Sequence, residues 1–222
     1  MTKVSASLLA CNVLEVAKKV ELLEGAGVDY IHIDIMDGSY VENLTYGPSF
    51  INDLKSITKV PIEVHLELYS PEKYIESFAN AGTDRLIVQR DSCVNPLRVL
   101  RKIKEFNMQA GVALNPGDDI GMLKHLLPYI DFIVIMSVEP GFGGQPFEAS
   151  CFEKIIELKE IMQRNGLSCP IFVDGGIDRI NAEQLVSVGV DTLIIGTSLF
   201  DTPNIVKTLY QFQKIRPVES VK

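Results

Sequence analysis

The sequence predicts an α/β chain folded as a single (β/α)8 barrel, the TIM-barrel architecture, with residues 1–222 as one domain. Three observations carry this expectation. Short apolar runs rich in Val and Ile alternate with helix-like segments, giving eight strand–helix units of roughly 25 to 30 residues each. Ser7, His32 with Asp34, His65, Asn115, Met136, Asp174 and Gly196 all fall near the ends of those runs, where the strands of such a barrel place an active site. The rival architecture, a doubly wound open sheet, would normally announce itself by G-x-G-x-x-G after an early strand, whereas the first turn here reads Ala10-Cys11-Asn12.

In chain order, residues 3–9 read as the first strand, and Asn12 as the cap of a helix running to about Gly25 with Val13, Val16, Val20 and Leu23 at helical spacing. Residues 30–36 form strand two. The loop from Asp37 to Pro48, with Tyr40, Asn43 and Tyr46, exceeds the usual strand-to-helix length and suggests a binding role. A helix from about Ser49 leads to strand three at 61–66. Ser70-Pro71-Glu72 reads as a helix cap, a proline at the first helical position and an acid in the first turn. Strand four covers 85–88, and Asn95-Pro96 opens the next helix in the same way. Strands five and six cover 109–114 and 132–136. An amphipathic helix spans about 149 to 165, and strand seven ends at Asp174. A helix over 179–187, strand eight at 192–195 and a last helix closing near Phe212 complete the chain.

Strand two carries the chemistry. Side chains alternate along an extended strand, so His32, Asp34 and Met36 share one face while Ile31, Ile33 and Ile35 line the other. A buried polar pair is costly unless satisfied, and a divalent metal satisfies an imidazole and a carboxylate together. Strand three repeats the layout, with Glu63, His65 and Glu67 opposite Ile62, Val64 and Leu66; strand seven ends in Asp174-Gly175-Gly176. His32, Asp34, His65 and Asp174 therefore make a four-ligand set. Such a metal can polarise a carbonyl, an effect worth several kcal/mol on a developing enolate. Asp34 and Asp174, from different strands, would approach a substrate from two sides; if one removes a proton beside the carbonyl and the other returns one to the opposite face, the outcome is epimerisation. Gly143-Gly144, Gly175-Gly176 and Gly196 offer backbone amides to an anion, which suits a sugar phosphate.

Composition narrows the partners. A net charge of −8 without a basic stripe excludes nucleic acid and an anionic membrane. Cys11, Cys93, Cys151 and Cys169 form no CxxC pair and read as reduced, buried thiols. With no secretory pattern and no apolar run of about 18 residues, the expectation is a cytoplasmic protein.

The motifs Ala6-Ser7-Leu8-Leu9, His32-Ile33-Asp34-Ile35-Met36-Asp37-Gly38, Val64-His65-Leu66, Leu114-Asn115-Pro116, Met136-Ser137-Val138-Glu139-Pro140-Gly141-Phe142-Gly143-Gly144-Gln145 and Val173-Asp174-Gly175-Gly176 resemble the ribulose-phosphate 3-epimerase family over nearly the whole chain. The resemblance implies interconversion of ribulose 5-phosphate and xylulose 5-phosphate with one divalent metal, zinc first and iron, manganese or cobalt as alternatives. It implies His32, Asp34, His65 and Asp174 as ligands, with Asp34 and Asp174 as the proton-transfer pair. It further implies Ser7 and His65 on the substrate, and Gly141, Phe142, Gly143, Gly144, Gly175, Gly176, Gly196 and Thr197 around its phosphate end. Homo-oligomers are common in that family. Where it usually carries methionine this chain has Glu67, and where strand four commonly ends in histidine it has Gln89 and Arg90. These changes keep a related substrate, allulose 6-phosphate, as the alternative. Related barrel decarboxylases and aldolases usually carry a lysine where Met36 stands.

Overall fold

Strands form on short, largely buried runs, most of them rich in Val and Ile: β1 (Lys3–Ser7), β2 (Tyr30–Met36), β3 (Ile62–Glu67), β4 (Arg85–Gln89), β5 (Gln109–Leu114), β6 (Phe132–Met136), β7 (Ile171–Asp174) and β8 (Thr192–Ile195). In the computed structural model, which describes residues 1–217, these strands pair in parallel in chain order and β8 closes onto β1, making an eight-stranded barrel. Helices α1 (Val16–Gly25), α2 (Pro48–Ile57), α3 (Ile75–Asn80), α4 (Pro96–Glu105), α5 (Cys151–Arg164), α6 (Arg179–Ser187), α7 (Thr197–Phe200) and α8 (Ile205–Gln213) occupy the connections.

The alternation of side chains along each strand creates two cores. Ile31, Ile33 and Ile35 of β2 pack outward with the buried faces of the helices, among them Val20, Leu23, Ile51 and Leu54. Inside the barrel, Ile87, Ala113, Phe132, Val134, Met136, Phe172 and Ile194 form a separate apolar cluster. Gly111 makes room for it: a Cβ there would lie 2.5 Å from the Phe132 ring. Cross-strand register then aligns the polar positions, setting His32 against Glu63, Asp34 against His65, and Met36 against Glu67, with Met136 against Asp174.

Several local expectations give way to tertiary structure. The first strand stops at Ser7, and residues 8–10 turn as a 3-10 helix. Asn12 does cap, accepting from the Leu14 amide, but the turn it caps is 3-10 over Val13–Glu15, and Val13 is 58% exposed rather than part of a buried stripe. Ser70 does not cap: its φ of 55° is left-handed, its side chain bonds no helix amide, and a 3-10 turn (Pro71–Lys73) precedes α3. At α4 the Asn95 side chain is likewise uninvolved; its backbone carbonyl accepts from Arg98 and Val99 instead. The connection after β5 contains no α-helix, only 3-10 turns at Ile120–Leu123 and Leu127–Tyr129. Gly117, Gly121 and Pro128 are poor helix residues and account for this. The helix expected at 149–165 is α5, shorter at both ends, and α7 is an additional short helix.

Candidate active site

The C-terminal ends of the strands open onto a cavity of about 220 Å³. Ser7, Asp34, Glu67, Met136, Asp174 and Gly196 form its floor and wall, and the loops carrying Gly141, Phe142, Gly143, Gly144, Gly175, Gly176 and Thr197 form its rim. Every substrate-side residue expected from sequence therefore lies on this cavity except His65, which is completely buried beneath it. The long loop after β2 behaves differently from expectation, since none of Tyr40, Asn43 and Tyr46 lines the cavity. Only Asn43 among them reaches a residue that lines it. Asn43 Nδ2 donates to the Gly141 carbonyl at 2.7 Å, Tyr40 Oη donates to Asp91 Oδ1 at 2.8 Å, and Tyr46 stacks on Phe50.

At the floor, one ligand atom from each of His32, Asp34, His65 and Asp174 lies within 4.8 Å of the others. His32 Nε2 is 3.0 Å from Asp34 Oδ1 and 3.6 Å from Asp174 Oδ2, and His65 Nδ1 is 3.5 Å from Asp34 Oδ1. Among the described residues His65 Nδ1 is buried without a hydrogen-bond partner, a condition that costs about 1–3 kcal/mol unless something else satisfies it. Two imidazoles and two carboxylates converging on an orphaned nitrogen fit a divalent cation of the zinc, iron or manganese type.

The outer nitrogens settle which atoms point inward. His32 Nδ1 meets Glu63 Oε1 at 2.9 Å, so Nδ1–H donates and Nε2 is free to ligate. His65 works the opposite way round. Its Nε2 faces the Gln89 side-chain nitrogen at 3.2 Å, while Gln89 Oε1 has no partner among the described residues. Turning that amide over lets Oε1 accept Nε2–H and leaves Nδ1 toward the cluster.

The environments of the two aspartates diverge. Burial alone would raise the Asp34 carboxyl, but His32 and His65 hold it far below the usual carboxylate range. Ser7 Oγ donates to its Oδ2 at 2.9 Å. Burial pushes Asp174 up to about 7; the His32 charge opposes this, and Asp34 and Glu63 reinforce it. Burial would also push His32 down, yet the charge and hydrogen bond of Asp34, with Glu63 and Asp174 behind them, keep it well above its ordinary value. Burial together with the charges of Asp34 and Asp174 drives Glu67 upward as well. Glu67 is 2% exposed and does not turn out to solvent, and its Oε2 has no hydrogen-bond partner among the described residues.

The rim is shaped by glycine. Gly175 and Gly176 have φ of +112° and +58°; a Cβ on Gly175 would run into Val138, and one on Gly176 would lie 2.8 Å from the Phe147 amide nitrogen. Ser137 Oγ lies 2.9 Å and 2.7 Å from the carbonyls of Asp174 and Gly175, tying the ends of β6 and β7 together. Asn181 Nδ2 donates to the Gly176 carbonyl at 3.0 Å, and Asp178 caps α6 directly behind. Gly143 and Gly144 stand opposite the Thr197 hydroxyl, so three loops meet at one end of the cavity.

Glu63 and Arg85, which the sequence reading assigned no role, belong to the shell beneath the floor. For Glu63 the signal was available, since it precedes His65 by two residues and so shares its face.

Residues 3–200 match the family model described as the ribulose-phosphate 3 epimerase family. A ribulose-phosphate 3-epimerase of Synechocystis sp. is 37% identical over 203 residues, covering 90% of this chain and 88% of the relative. That of Bacillus subtilis is 36% identical over 201 residues, covering 90% and 93%. Among solved structures, KGPDC from Streptococcus mutans superposes with a TM-score of 0.72 at 16% identity, covering 96% of this chain and 96% of that one, a likeness of fold alone.

Proposed function

Because the chain belongs to the ribulose-phosphate 3-epimerase family, we propose that its barrel mouth inverts carbon 3 of D-ribulose 5-phosphate to give D-xylulose 5-phosphate, with Asp34 and Asp174 as the proton-transfer pair. The observation that carries this assignment is that two carboxyls from separate strands, Asp34 of β2 and Asp174 of β7, meet on one cavity, lying 3.0 Å and 3.6 Å from His32 Nε2. Two carboxyls that reach a substrate from different strands can act as base on one face and acid on the other. Asp34 takes the proton from carbon 3 on one face, and Asp174 returns a proton to the other; the roles exchange in the reverse direction. Ser7 orients Asp34 through its hydrogen bond to Oδ2. A divalent ion, which we assign as zinc, supplies when bound by His32, Asp34, His65 and Asp174 the positive charge that polarises the neighbouring carbonyl. The amides of the Gly141–Gly144, Gly175–Gly176 and Gly196–Thr197 loops surround the phosphate without a lysine. Four buried free thiols support a reducing, cytoplasmic setting. We assign a homo-oligomeric state by analogy with the family.

The test is conversion of ribulose 5-phosphate in deuterium oxide. One deuterium is expected at carbon 3 of the xylulose 5-phosphate formed; product without label would remove the proton-transfer mechanism. Glu67, a carboxyl on the floor where the family usually carries an apolar methionine, favours D-allulose 6-phosphate as the second reading. A higher kcat/KM for the hexulose phosphate would select it.

A further inference from the structure

Beneath the cavity floor lies a buried arginine that no step above uses. Arg85 opens β4, is 5% exposed, and points into the barrel. Its guanidinium carbon lies 3.9 Å from the ring centre of Phe132, 4.2 Å from that of Tyr30 and 4.7 Å from that of Phe172. The rings offer their negative faces to the cation, which offsets part of the cost of stripping it of water. Arg85 Nη1 also sits 2.9 Å from Glu63 Oε2, a contact by charge that lacks the angle of a hydrogen bond. The other Glu63 oxygen, Oε1, lies 2.9 Å from His32 Nδ1 and 3.0 Å from Ser5 Oγ. Ser5, Glu63, His32 and Arg85 are each no more than 5% exposed.

We propose that Arg85 is a positioning residue for the metal site, acting through Glu63 to fix the ring and tautomer of His32. This rests on the metal reading above. The chain of contacts runs one way: three rings hold Arg85, Arg85 holds Glu63, Glu63 takes Nδ1–H, and His32 Nε2 is presented to Asp34 and Asp174. An arginine serving only to fill the barrel would be replaceable by an apolar side chain, since a buried ion pair is often no more stabilising than a well-packed hydrophobic substitute. What the apolar substitute cannot do is hold a carboxylate against the imidazole, and partners of this outer kind typically carry about 10–100-fold of metal affinity. His65 has a neutral Gln89 in the corresponding place, so the two ligand imidazoles are supported unequally.

The experiment is a zinc titration of the full-length, metal-stripped chain against a chromophoric competitor, with circular dichroism confirming the fold of each variant. Glu63→Gln should weaken zinc binding by about 10–100-fold and Arg85→Met by about 10-fold. The Glu63→Gln, Arg85→Met double variant should bind no more weakly than Glu63→Gln alone, because the arginine acts through the carboxylate. Arg85→Met binding zinc as tightly as the wild type, or a double variant whose losses add in full, overturns the proposal. A second readout needs no variant. The chain has 3 histidines, so their ring nitrogens are separable by 15N NMR in the zinc-loaded wild type. His32 should carry its proton on Nδ1 and His65 on Nε2; His32 protonated on Nε2 refutes the relay. Wild-type protein that takes up no zinc refutes the metal reading itself, a result distinct from zinc uptake that ignores Arg85.

Discussion

At the scale of single residues, Asp174 makes the sharpest claim. Its carboxyl sits at about 7 in the folded protein against an ordinary 3.8. Below its ordinary value it is protonated in folded and unfolded chains alike. As pH rises from about 4 through about 7, the unfolded chain sheds the proton first, so Asp174 withdraws stability over that window. His32, held above its ordinary value, acts in the same direction at higher pH. Asp34, held low, acts in the opposite sense: its contribution is present above the ordinary carboxylate range and lost on acidification. Thermal melts of chelator-treated protein should therefore show a lower Tm at pH 8 than at pH 5. Zinc should restore more at pH 8, where fewer protons compete for the ligands; a Tm that ignores pH would contradict these environments. Replacing Asp34 or Asp174 with Asn should lower kcat by at least about 10²-fold, the usual contribution of a positioned acid or base. Far-ultraviolet circular dichroism should be unchanged.

Elements show where the sequence was legible. The bounds of β2, β5, β6 and β8 agree with those expected from the sequence; in β2, β6 and β8, β-branched runs between turn residues leave few alternatives. That His32, Asp34 and Met36 share one face of β2 follows from parity alone. Ser70 departs from the expected cap because its backbone is left-handed, with φ of 55°, and its side chain bonds no helix amide. From sequence Arg85 is only the first residue of strand four; its ring box comes from β2, β6 and β7, which the local sequence of β4 does not carry. The loop from β7 to α6 yields two predictions. Gly175→Ala forces a Cβ against Val138 at a positive φ and should raise KM for the sugar phosphate by distorting the rim. Asp178→Ala removes the cap that accepts from the Ile180 and Asn181 amides. It should cost about 1 kcal/mol, read as a Tm about 2–4 °C lower, with kcat little changed.

On the scale of the whole molecule, closure of the barrel decides the order in which the site is assembled. Three proposed ligands, His32, Asp34 and His65, lie on adjacent strands, and register alone sets Asp34 beside His65. Asp174 arrives from β7, which reaches β1 only through β8. A chain synthesised from its N-terminus holds an incomplete grip on the ion until most of its length has been made. In refolding, tight capture of a cobalt probe should then lag behind the recovery of helical signal and coincide with final annealing of the β8–β1 seam. The colour of the ion would thus act as a clock for the last step of folding.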